Sequence, residues 1–338
     1  MTMLFETVNG LEKVAFQEIS EKLNVIKTIL FPYGPRGWVK CNSRDTSLMK
    51  VGRLRSIIEA YLILNEERYS QGFSIDHFAD VTVKMIPVYA ANARRISVSA
   101  YSSYRRPSQR EIQGAFSNRI NKELNAECNL KDYDTSLKIS LLRKVAIASI
   151  DLEIQPGNIP KLETHPTPLL PPIAYCMIRL AVPQKNEQLV DPMCGCGTIP
   201  LLASLEWKDL KVIGLDIEDE YLSSARRNAE TLSITDRIEF AKSDIADLAN
   251  TGIAADMVVV NPPYGMTVPA RSQIERLYGT LLETSNKVLS SSGRMVIITP
   301  YPRIIEKEVQ QTKMRIDSSY RIREGKPPRT IQVIRRAH

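Results

Sequence analysis

The sequence contains few of the residues that build metal centres and disulfide frameworks. Its 338 residues include five cysteines, an odd number without a Cys-X-X-Cys pair, and three histidines, His77, His165 and His338. A zinc finger and a disulfide-stapled fold are therefore not expected. Cys194 and Cys196 are close enough in sequence to suggest a metal site. Packing within a turn is the expected role of both thiols, and we predict that the protein holds no metal.

Long apolar runs are also missing, and the first residues do not predict a leader sequence. No segment is long and apolar enough to span a bilayer. Residues 1–16 lack a basic start and include two acidic residues, Glu6 and Glu12, so a secretory signal is not expected. With 43% hydrophobic and 25% charged residues, the chain can bury more than one core. We expect a monomeric, cytoplasmic protein of two or three domains without a membrane partner.

Positive charge is present in moderate excess and is concentrated in one segment. The net charge of +7 is compatible with a nucleic-acid partner, although proteins that bind none also reach it. Residues 94–119 contain six arginines and one acidic residue, Glu111. Guanidinium groups pair with phosphates and tyrosines stack on bases, so the segment is a candidate RNA surface, although a solvated face explains the same composition. Its candidate RNA-binding residues are Arg94, Arg95, Tyr104, Arg105, Arg106 and Arg110.

The most informative motif is Asn261-Pro262-Pro263-Tyr264, which follows the apolar run of residues 257–260. In an open parallel sheet, the carboxyl end of a strand faces the ligand crevice. The side-chain oxygen of Asn261 and the Pro262 carbonyl would offer two acceptors side by side, which suits an amino group. The alternative is a plain Asn-Pro turn after a strand, because proline disfavours helix before it.

A glycine-rich turn provides a second motif, between a predicted strand at 188–191 and a helical pattern at 199–205. Such a turn lets a ligand approach bare backbone N–H groups at the start of a helix. A dinucleotide site would require a third glycine where this chain has Pro200, so that interpretation is weakened. The candidate cofactor-binding residues of this turn are Asp191, Met193, Cys194, Gly195, Cys196, Gly197 and Thr198.

Two aspartates follow the next predicted strands and point to an adenosine-containing ligand. Asp216 ends the strand at 212–215, where a carboxylate can accept both ribose hydroxyls. Asp244 follows the strand at 238–240 and could meet the adenine amino group. Each aspartate could instead cap a helix. Ile217 and Ile245, which follow the two aspartates, and Asn261 complete the candidate cofactor set.

These motifs, in this order, resemble a class I S-adenosylmethionine-dependent methyltransferase from about residue 166 to the C-terminus. Residues 191–199 and 261–265 together are similar to the family that methylates guanine N2 in tRNA. The resemblance implies S-adenosylmethionine as the cofactor, and Asn261, Pro262 and Tyr264 as the catalytic residues, with Tyr264 stacked on the base. Relatives that act on guanosine 10 more often carry Asp in place of Asn261 and Gly in place of Thr198. We therefore expect methylation of guanosine 6 in the tRNA acceptor stem.

Other functions remain open at this point. The same catalytic half could act on guanosine 10 of tRNA, on ribosomal RNA, or on an adenine or glutamine amine. A non-catalytic RNA-binding protein with a vestigial cofactor site is a further alternative.

A proline-rich connector at residues 156–172 predicts the division of the chain. Beyond it, strands near 188, 211, 238, 256 and 294 alternate with helical patterns, which indicates a parallel sheet with right-handed crossovers. Two closing strands, at 314–323 and 330–335, should form an antiparallel hairpin. The expected fold class is α/β, with a class I Rossmann-like methyltransferase domain and a mixed seven-stranded sheet at residues 173–338.

The N-terminal half has an α+β pattern. Strands are predicted at 3–8, 38–41, 96–101, 136 and 146, helices at 11–23, 48–64 and 108–120, and a helix or strand at 79–85. Ser108 and Glu111 have the spacing of a capping box. The region resembles a ferredoxin-like domain at 1–65 followed by a THUMP domain at 66–155, which implies an RNA partner held at the acceptor stem and 3′ end.

Overall fold

The computed structural model of this chain divides it into two compact units, Met1–Pro156 and Gly157–His338. It describes residues 1–31, 36–43, 47–69, 73–154, 157, 159, 163, 169–263, 271–323 and 327–337. None of the helices in these ranges combines the length and hydropathy needed to cross a membrane. Most of the proline-rich connector and the catalytic candidate Tyr264 lie outside the described residues.

The first unit is built on one sheet. Its strands are β1 (Thr2–Thr7), β2 (Val25–Phe31), β3 (Gly37–Ser43), β4 (Ile57–Arg68), β5 (Arg95–Ser102), β6 (Glu127–Cys128), β7 (Thr135–Leu142) and β8 (Val145–Asp151). Its helices are α1 (Glu12–Lys22), α2 (Leu48–Val51), α3 (Ile75–Val83), α4 (Ile86–Tyr89) and α5 (Gln109–Leu124). The eight strands pair in the order β2-β3-β1-β4-β8-β7-β5-β6. The expected boundary at residue 65 falls inside β4, which pairs with β1 on one side and β8 on the other.

Helix α5 begins where the sequence places it. The Ser108 side chain accepts a hydrogen bond from Glu111 N (3.3 Å), and the Glu111 carboxylate accepts one from Ser108 N (2.6 Å). This reciprocal capping box satisfies two N–H groups that the helix leaves free. The apolar face of α5 packs on β5 and β7 through Ile112, Phe116 and Ile120.

The helix predicted at residues 48–64 is wrong for most of its length. Only Leu48–Val51 is helical, and the twelve-residue strand β4 follows. The buried carboxylate of Glu18 accepts backbone N–H bonds from Arg55 and Ser56, both at 2.8 Å, and so holds the chain in a turn there. The apolar run after this turn fits the periodicity of a helix and that of a strand. Pairing with β1 on one edge and β8 on the other makes it a strand. The sequence also gave no indication of β2.

The second unit has the predicted mixed seven-stranded sheet. Its strands are β9 (Gln188–Asp191), β10 (Lys211–Asp216), β11 (Ile238–Lys242), β12 (Ala255–Val260), β13 (Leu289–Thr299), β14 (Met314–Ile322) and β15 (Arg329–Arg336). Its helices are α6 (Pro171–Leu180), α7 (Thr198–Glu206), α8 (Asp219–Thr231), α9 (Arg271–Val288) and α10 (Pro302–Val309). The order is β11-β10-β9-β12-β13-β15-β14. Strands β9 to β13 run parallel, and β14 and β15 form the antiparallel hairpin that the sequence predicts.

Helix α9 covers one face of this sheet. Its buried residues Ile274, Tyr278, Leu281 and Leu282 recur at helical spacing and pack with the side chains of β12 and β13 that point to that face. The Tyr278 hydroxyl shares a 2.9 Å hydrogen bond with Thr299 Oγ1 at the end of β13. The central strands are therefore apolar on both faces, as expected for a parallel sheet covered by helices.

A buried arginine holds together the amino ends of the central strands. Arg294 of β13 is 4% exposed and makes two hydrogen bonds of 2.6 Å to the Glu187 carboxylate, just before β9. It also donates to the carbonyls of Val182 (2.8 Å) and Asp256 (3.3 Å). Hydrogen bonds from Arg294 hold the pKa of Glu187 below its ordinary value, despite partial burial. The guanidinium thus makes these hydrogen bonds at the edge of the sheet opposite the carboxyl ends.

Arg294→Ala should destabilise the second unit by about 3–5 kcal/mol, because it leaves a half-buried carboxylate and several carbonyls unpaired. Urea unfolding at pH 7 measures this difference. The pKa of Glu187 is lower in the folded state than in the unfolded state. The stabilisation by its pairing with Arg294 is therefore fully present above the unfolded pKa and is lost as the pH falls through the folded pKa. The difference should therefore shrink in acid.

Arg335→Ala is the matched control, because Arg335 pairs with Asp317 at 3.4 Å while about a third of its side chain is exposed. We expect it to cost less than about 1 kcal/mol. Equal losses for the two variants would contradict the role given to Arg294.

Candidate active site

The polar candidates of the second unit meet at the carboxyl edge of the parallel strands. Asp191 ends β9, Asp216 ends β10, and Asn261 follows β12 directly. The strand order reverses between β9 and β12, and ligands of open α/β sheets bind in the crevice at such a switch point. The topology thus brings together residues that are 70 positions apart in the chain.

The glycine-rich turn after β9 is fixed by backbone hydrogen bonds. Cys194 N donates to Leu215 O (2.8 Å), and Gly197 N donates to Cys194 O (2.9 Å). Gly195 and Gly197 have φ values of +52° and +89°, in the left-handed region that favours glycine. A Cβ atom on Gly195 would meet nothing within 4 Å, so space lies open beside the bare backbone. The turn fits a ligand that approaches the main chain closely.

Phe240 of β11 forms the support beneath this turn. A Cβ atom on Gly214 would lie 2.7 Å from Phe240 Cε1 and 3.2 Å from Cys194 Sγ. A Cβ atom on Gly197 would lie 3.4 Å from Phe240 Cζ. The aromatic ring thus occupies the volume that side chains at two glycines would need. Sequence reasoning did not identify Phe240, because its role depends on the pairing of β10 with β11.

Asp216 links the turn to the neighbouring strand. The carboxylate is 9% exposed; Oδ2 accepts from Gly195 N (2.8 Å) and Oδ1 accepts from Glu218 N (3.1 Å). Each oxygen retains acceptor capacity beyond its backbone partner. The carboxylate can therefore hold the turn in place and still accept hydroxyl donors from a ligand.

Asp191 is the most deeply buried acidic residue of the site, with 1% of its surface exposed. It accepts one hydrogen bond, from Met193 N at 3.2 Å. Burial raises the pKa of Asp191 well above its ordinary value; the Met193 bond offsets this in part, and the Asp216 charge adds to it. A positively charged group beside this carboxyl would lower its pKa again.

Asn261 presents an acceptor without a partner. Its Oδ1 atom is buried and has no hydrogen-bond partner among the described residues, and Pro262 beside it is buried. An unsatisfied buried acceptor costs about 1–3 kcal/mol, so native proteins rarely keep one without a reason. The arrangement suits a ligand that brings an N–H donor to this oxygen.

The remaining cofactor candidates divide into two groups. Asp244 is exposed, and its Oδ1 caps the short 3₁₀ helix Ile245–Asn250 by accepting from Ala246 N (2.8 Å). Asp244 thus caps a helix, and its carboxylate retains acceptor capacity for the predicted contact with the adenine amino group. Ile245 is buried in the core, whereas Ile217, next to Asp216, is 52% exposed and offers an apolar surface at the crevice edge. Within the described ranges, no cluster of His, Cys, Asp and Glu could hold a metal ion.

Among the RNA-binding candidates of the first unit, one arginine is paired with acidic residues and the others are exposed. Arg95 is engaged by Asp132 and by Asp134 (2.8 Å). The exposed side chains of Arg94, Arg105, Arg106 and Arg110 form no ion pair with any described residue. Their positive charge is available to a partner, whereas that of Arg95 is not.

The loop of residues 103–107 is joined to the turn between β7 and β8. Ser103 N and Oγ donate to Leu141 O (2.9 and 3.0 Å), and Lys144 N donates to the Tyr104 hydroxyl (3.3 Å). This pairing places Arg143 and Lys144, both exposed, beside the arginine loop. Sequence reasoning missed these two residues, because 40 positions separate them from Tyr104.

Comparison with known proteins is consistent with this geometry. Residues 161–326 match the model of a family described as UPF0020, RMKL-like, methyltransferase domain. The tRNA (guanine(6)-N2)-methyltransferase of Methanocaldococcus jannaschii is 23% identical over 247 residues, which cover 60% of this chain and 64% of that relative. The tRNA (guanine(10)-N2)-dimethyltransferase of Methanothermobacter thermautotrophicus is 28% identical over 198 residues, or 58% and 57% of the two chains. Each alignment thus spans less than two thirds of the relative.

The crystal structure of TrmN from Thermus thermophilus has a similar fold over the whole chain. Its TM-score is 0.87 at 19% identity, and the superposition covers 99% of both chains. The strand order and the glycine-rich turn after β9 are those of a Rossmann-type methyltransferase fold. Residues 161–326, just under half of the chain, are thus similar to the RMKL-like methyltransferase family.

Gly214→Ala should destabilise the second unit by about 1–3 kcal/mol, because the new methyl group must displace the Phe240 ring under the glycine turn. Chemical denaturation followed by tryptophan fluorescence or circular dichroism measures the change. Gly279→Ala in α9 is the control, since its Cβ would meet only the flexible end of Glu308, at 3.2 Å. That substitution should be neutral or stabilising, by up to about 1 kcal/mol. Similar losses for both would show that Phe240 does not set the requirement for glycine.

Proposed function

We propose that the protein transfers a methyl group from S-adenosylmethionine to the exocyclic N2 of a guanosine in tRNA. The observation that carries this proposal is the buried, unpartnered Oδ1 of Asn261 at the carboxyl end of β12. An amide oxygen and the adjacent Pro262 carbonyl together can accept both N–H groups of one amine. The named activity of the relatives, on guanine N2 of tRNA, is the same chemistry.

The residues of the crevice have separate tasks toward the cofactor. The open backbone at Gly195 would admit the amino-acid part of the cofactor, Asp216 would accept from the ribose hydroxyls, and the exposed Ile217 would pack against the adenine. Asp191 would hold the ammonium group, whose positive charge would favour the carboxylate that burial disfavours. When bound, S-adenosylmethionine supplies an electrophilic methyl group on a sulfonium, so the protein need not generate a strong nucleophile.

Asn261 acts on the amine. The guanine nitrogen is a weak nucleophile, because its lone pair is delocalised into the ring. Hydrogen bonds accepted by Asn261 Oδ1 and the Pro262 carbonyl favour a pyramidal nitrogen whose lone pair points at the methyl group, and they strengthen as positive charge develops. No strong base is required, since the methylated nitrogen is acidic and loses its extra proton readily. We assign Tyr264 to stack on the base, which must leave its helical stack to reach the site.

The first unit supplies the RNA-binding surface in this proposal. Residues 103–107 and the β7–β8 turn present Arg105, Arg106, Arg143 and Lys144, with the Tyr104 ring 41% exposed among them. Phosphate contacts of this kind position an RNA without reading its sequence. From the resemblance to THUMP domains, we infer that the acceptor stem and 3′ end bind at this surface. Asn261 and Thr198 favour guanosine 6 over guanosine 10 as the target.

Asn261→Ala should lower single-turnover methylation by about 100-fold or more, by analogy with the loss of one preorganised polar group in other active sites. The measurement uses transcribed tRNA and S-adenosylmethionine, both at saturating concentrations. Affinity for cofactor and tRNA should change little, because the amide acts chiefly as the transition state forms. The fold should also be kept, because Oδ1 has no hydrogen-bond partner to lose among the described residues. Mapping the methylated nucleotide in the wild-type reaction distinguishes guanosine 6 from guanosine 10.

Asn261→Asp is the companion variant. It keeps an acceptor at the same position, so it should retain more activity than the alanine variant. A wild-type rate of methylation in the Asn261→Ala variant would show that Asn261 is only a turn residue. Methylation of ribosomal RNA or a peptide, but not of tRNA, would replace the proposed substrate.

Reversal of Arg105 and Arg106 to Glu should weaken tRNA binding at least tenfold and flatten its salt dependence, because fewer counterions are released. Affinity for S-adenosylmethionine should not change. Lys122→Glu with Lys131→Glu is the matched control: it makes the same charge change on exposed residues of the same unit, with Lys122 at the opposite end of α5 from Arg110. If both double variants weaken binding equally, the effect is one of net charge and the loop is not a docking surface.

A further inference from the structure

One buried amide beneath the glycine-rich turn has no role in the site described so far. Asn228 of α8 is 2% exposed, and its side chain makes three hydrogen bonds. Nδ2 donates to Cys196 O (3.0 Å) and to Glu163 O (2.9 Å), and Oδ1 accepts from Glu163 N (2.9 Å). Asn228 therefore connects the turn after β9 with the segment that precedes α6.

Helix α7 provides no donor for the carbonyl of Cys196. The carbonyl of the N-cap residue accepts the first hydrogen bond of an α-helix. Gly197 is the N-cap of α7, and its carbonyl accepts from Leu201 N at 2.9 Å. Cys196 precedes the N-cap, so its carbonyl lies outside the helix and needs another donor. Asn228 supplies the missing donor to the carbonyl that lies between Gly195 and Gly197.

The contact with Glu163 is reinforced by a neighbour. Arg227 donates to both carboxylate oxygens of Glu163 (2.7 and 2.6 Å), and this pairing lowers the pKa of Glu163 to about 2. The side chains of both residues are about half exposed. Arg227 thus binds Glu163 but not the turn, whereas Asn228 binds both Glu163 and the turn.

We propose that Asn228 is a positioning residue for S-adenosylmethionine, which fixes the carbonyl of Cys196 and thereby the backbone direction of Gly195 and Gly197. The inference rests on the cofactor assigned in the proposed function. Without the Nδ2 donor, the Cys196–Gly197 peptide keeps only the hydrogen bond from Gly197 N to Cys194 O, so its orientation is less fixed and must be ordered each time the cofactor binds. The free energy of ordering the turn then lowers the affinity for the cofactor and leaves the rate of methyl transfer unchanged.

The test compares Asn228→Ala and Arg227→Ala in the full-length protein. Isothermal titration calorimetry with S-adenosylmethionine should give a dissociation constant about tenfold higher for Asn228→Ala and within about twofold of wild type for Arg227→Ala. In steady-state methylation, Asn228→Ala should raise the KM for S-adenosylmethionine by a similar factor. Its kcat and its KM for tRNA should stay within about twofold. Asn228→Asp keeps the side-chain shape but turns a carboxylate oxygen toward the two carbonyls, so it should also weaken cofactor binding.

The outcomes separate this inference from the proposed function. Calorimetry needs no RNA, so a wild-type protein that binds S-adenosylmethionine but methylates no tRNA leaves the role of Asn228 open to measurement. Wild-type cofactor affinity in a folded Asn228→Ala or Asn228→Asp variant overturns the inference. So does an equal loss of affinity in Arg227→Ala, because anchoring of Glu163 would then be sufficient. If Asn228→Ala lowers kcat while KM is unchanged, the residue acts on chemistry and positioning of the cofactor is wrong.

Discussion

The cofactor crevice depends on one hydrogen bond, from the Gly195 amide to the Asp216 carboxylate (2.8 Å). It joins the turn after β9 to the end of β10 across a single strand spacing, since Asp191 lies opposite Gly214 in the sheet. The left-handed backbone at Gly195 accompanies this geometry, and a side chain there would be strained. Because Asp216 is tied at the same time to the start of α8, the turn, the strand and the helix are fixed as one piece. The remaining acceptors of the crevice are placed relative to that piece.

The two edges of the parallel sheet differ in how far their buried polar groups are hydrogen-bonded. At the amino edge, Arg294 finds a carboxylate and several carbonyls, and its charge is neutralised by Glu187. At the carboxyl edge, Asp191 is buried with one hydrogen bond and a raised pKa, and Asn261 Oδ1 has no described partner. Unsatisfied groups of this kind lower stability, and proteins retain them where a ligand completes them. The amino edge therefore contributes stability, and the carboxyl edge is available for binding and chemistry.

The first unit also uses buried carboxylates, but as structural anchors. Burial alone would raise the pKa of Glu18, yet the charge of Lys22 and hydrogen bonds from Ser56 bring it below its ordinary value. Glu6 is equally enclosed, and there burial outweighs Lys138, so its pKa is raised. Each carboxylate organises neighbouring chain segments, Glu18 at the turn before β4 and Glu6 between β3 and β7. Neither pattern is visible from local sequence, because the donors other than Lys22 lie 30 or more positions away.

The sequence by itself determined the α/β class, the order of strands and helices after residue 171, the glycine-rich turn and the placement of Asp191, Asp216 and Asn261 at strand ends. These features depend on local periodicity and on residues with special backbone preferences, such as glycine and proline. Tertiary structure alone decided that residues 57–68 form a strand, that Arg95 is neutralised, and that Phe240 and Asn228 support the turn. In each of these cases the deciding partner is distant in sequence. Pairing across a sheet or burial against another element selects one outcome among several that the local sequence permits equally well.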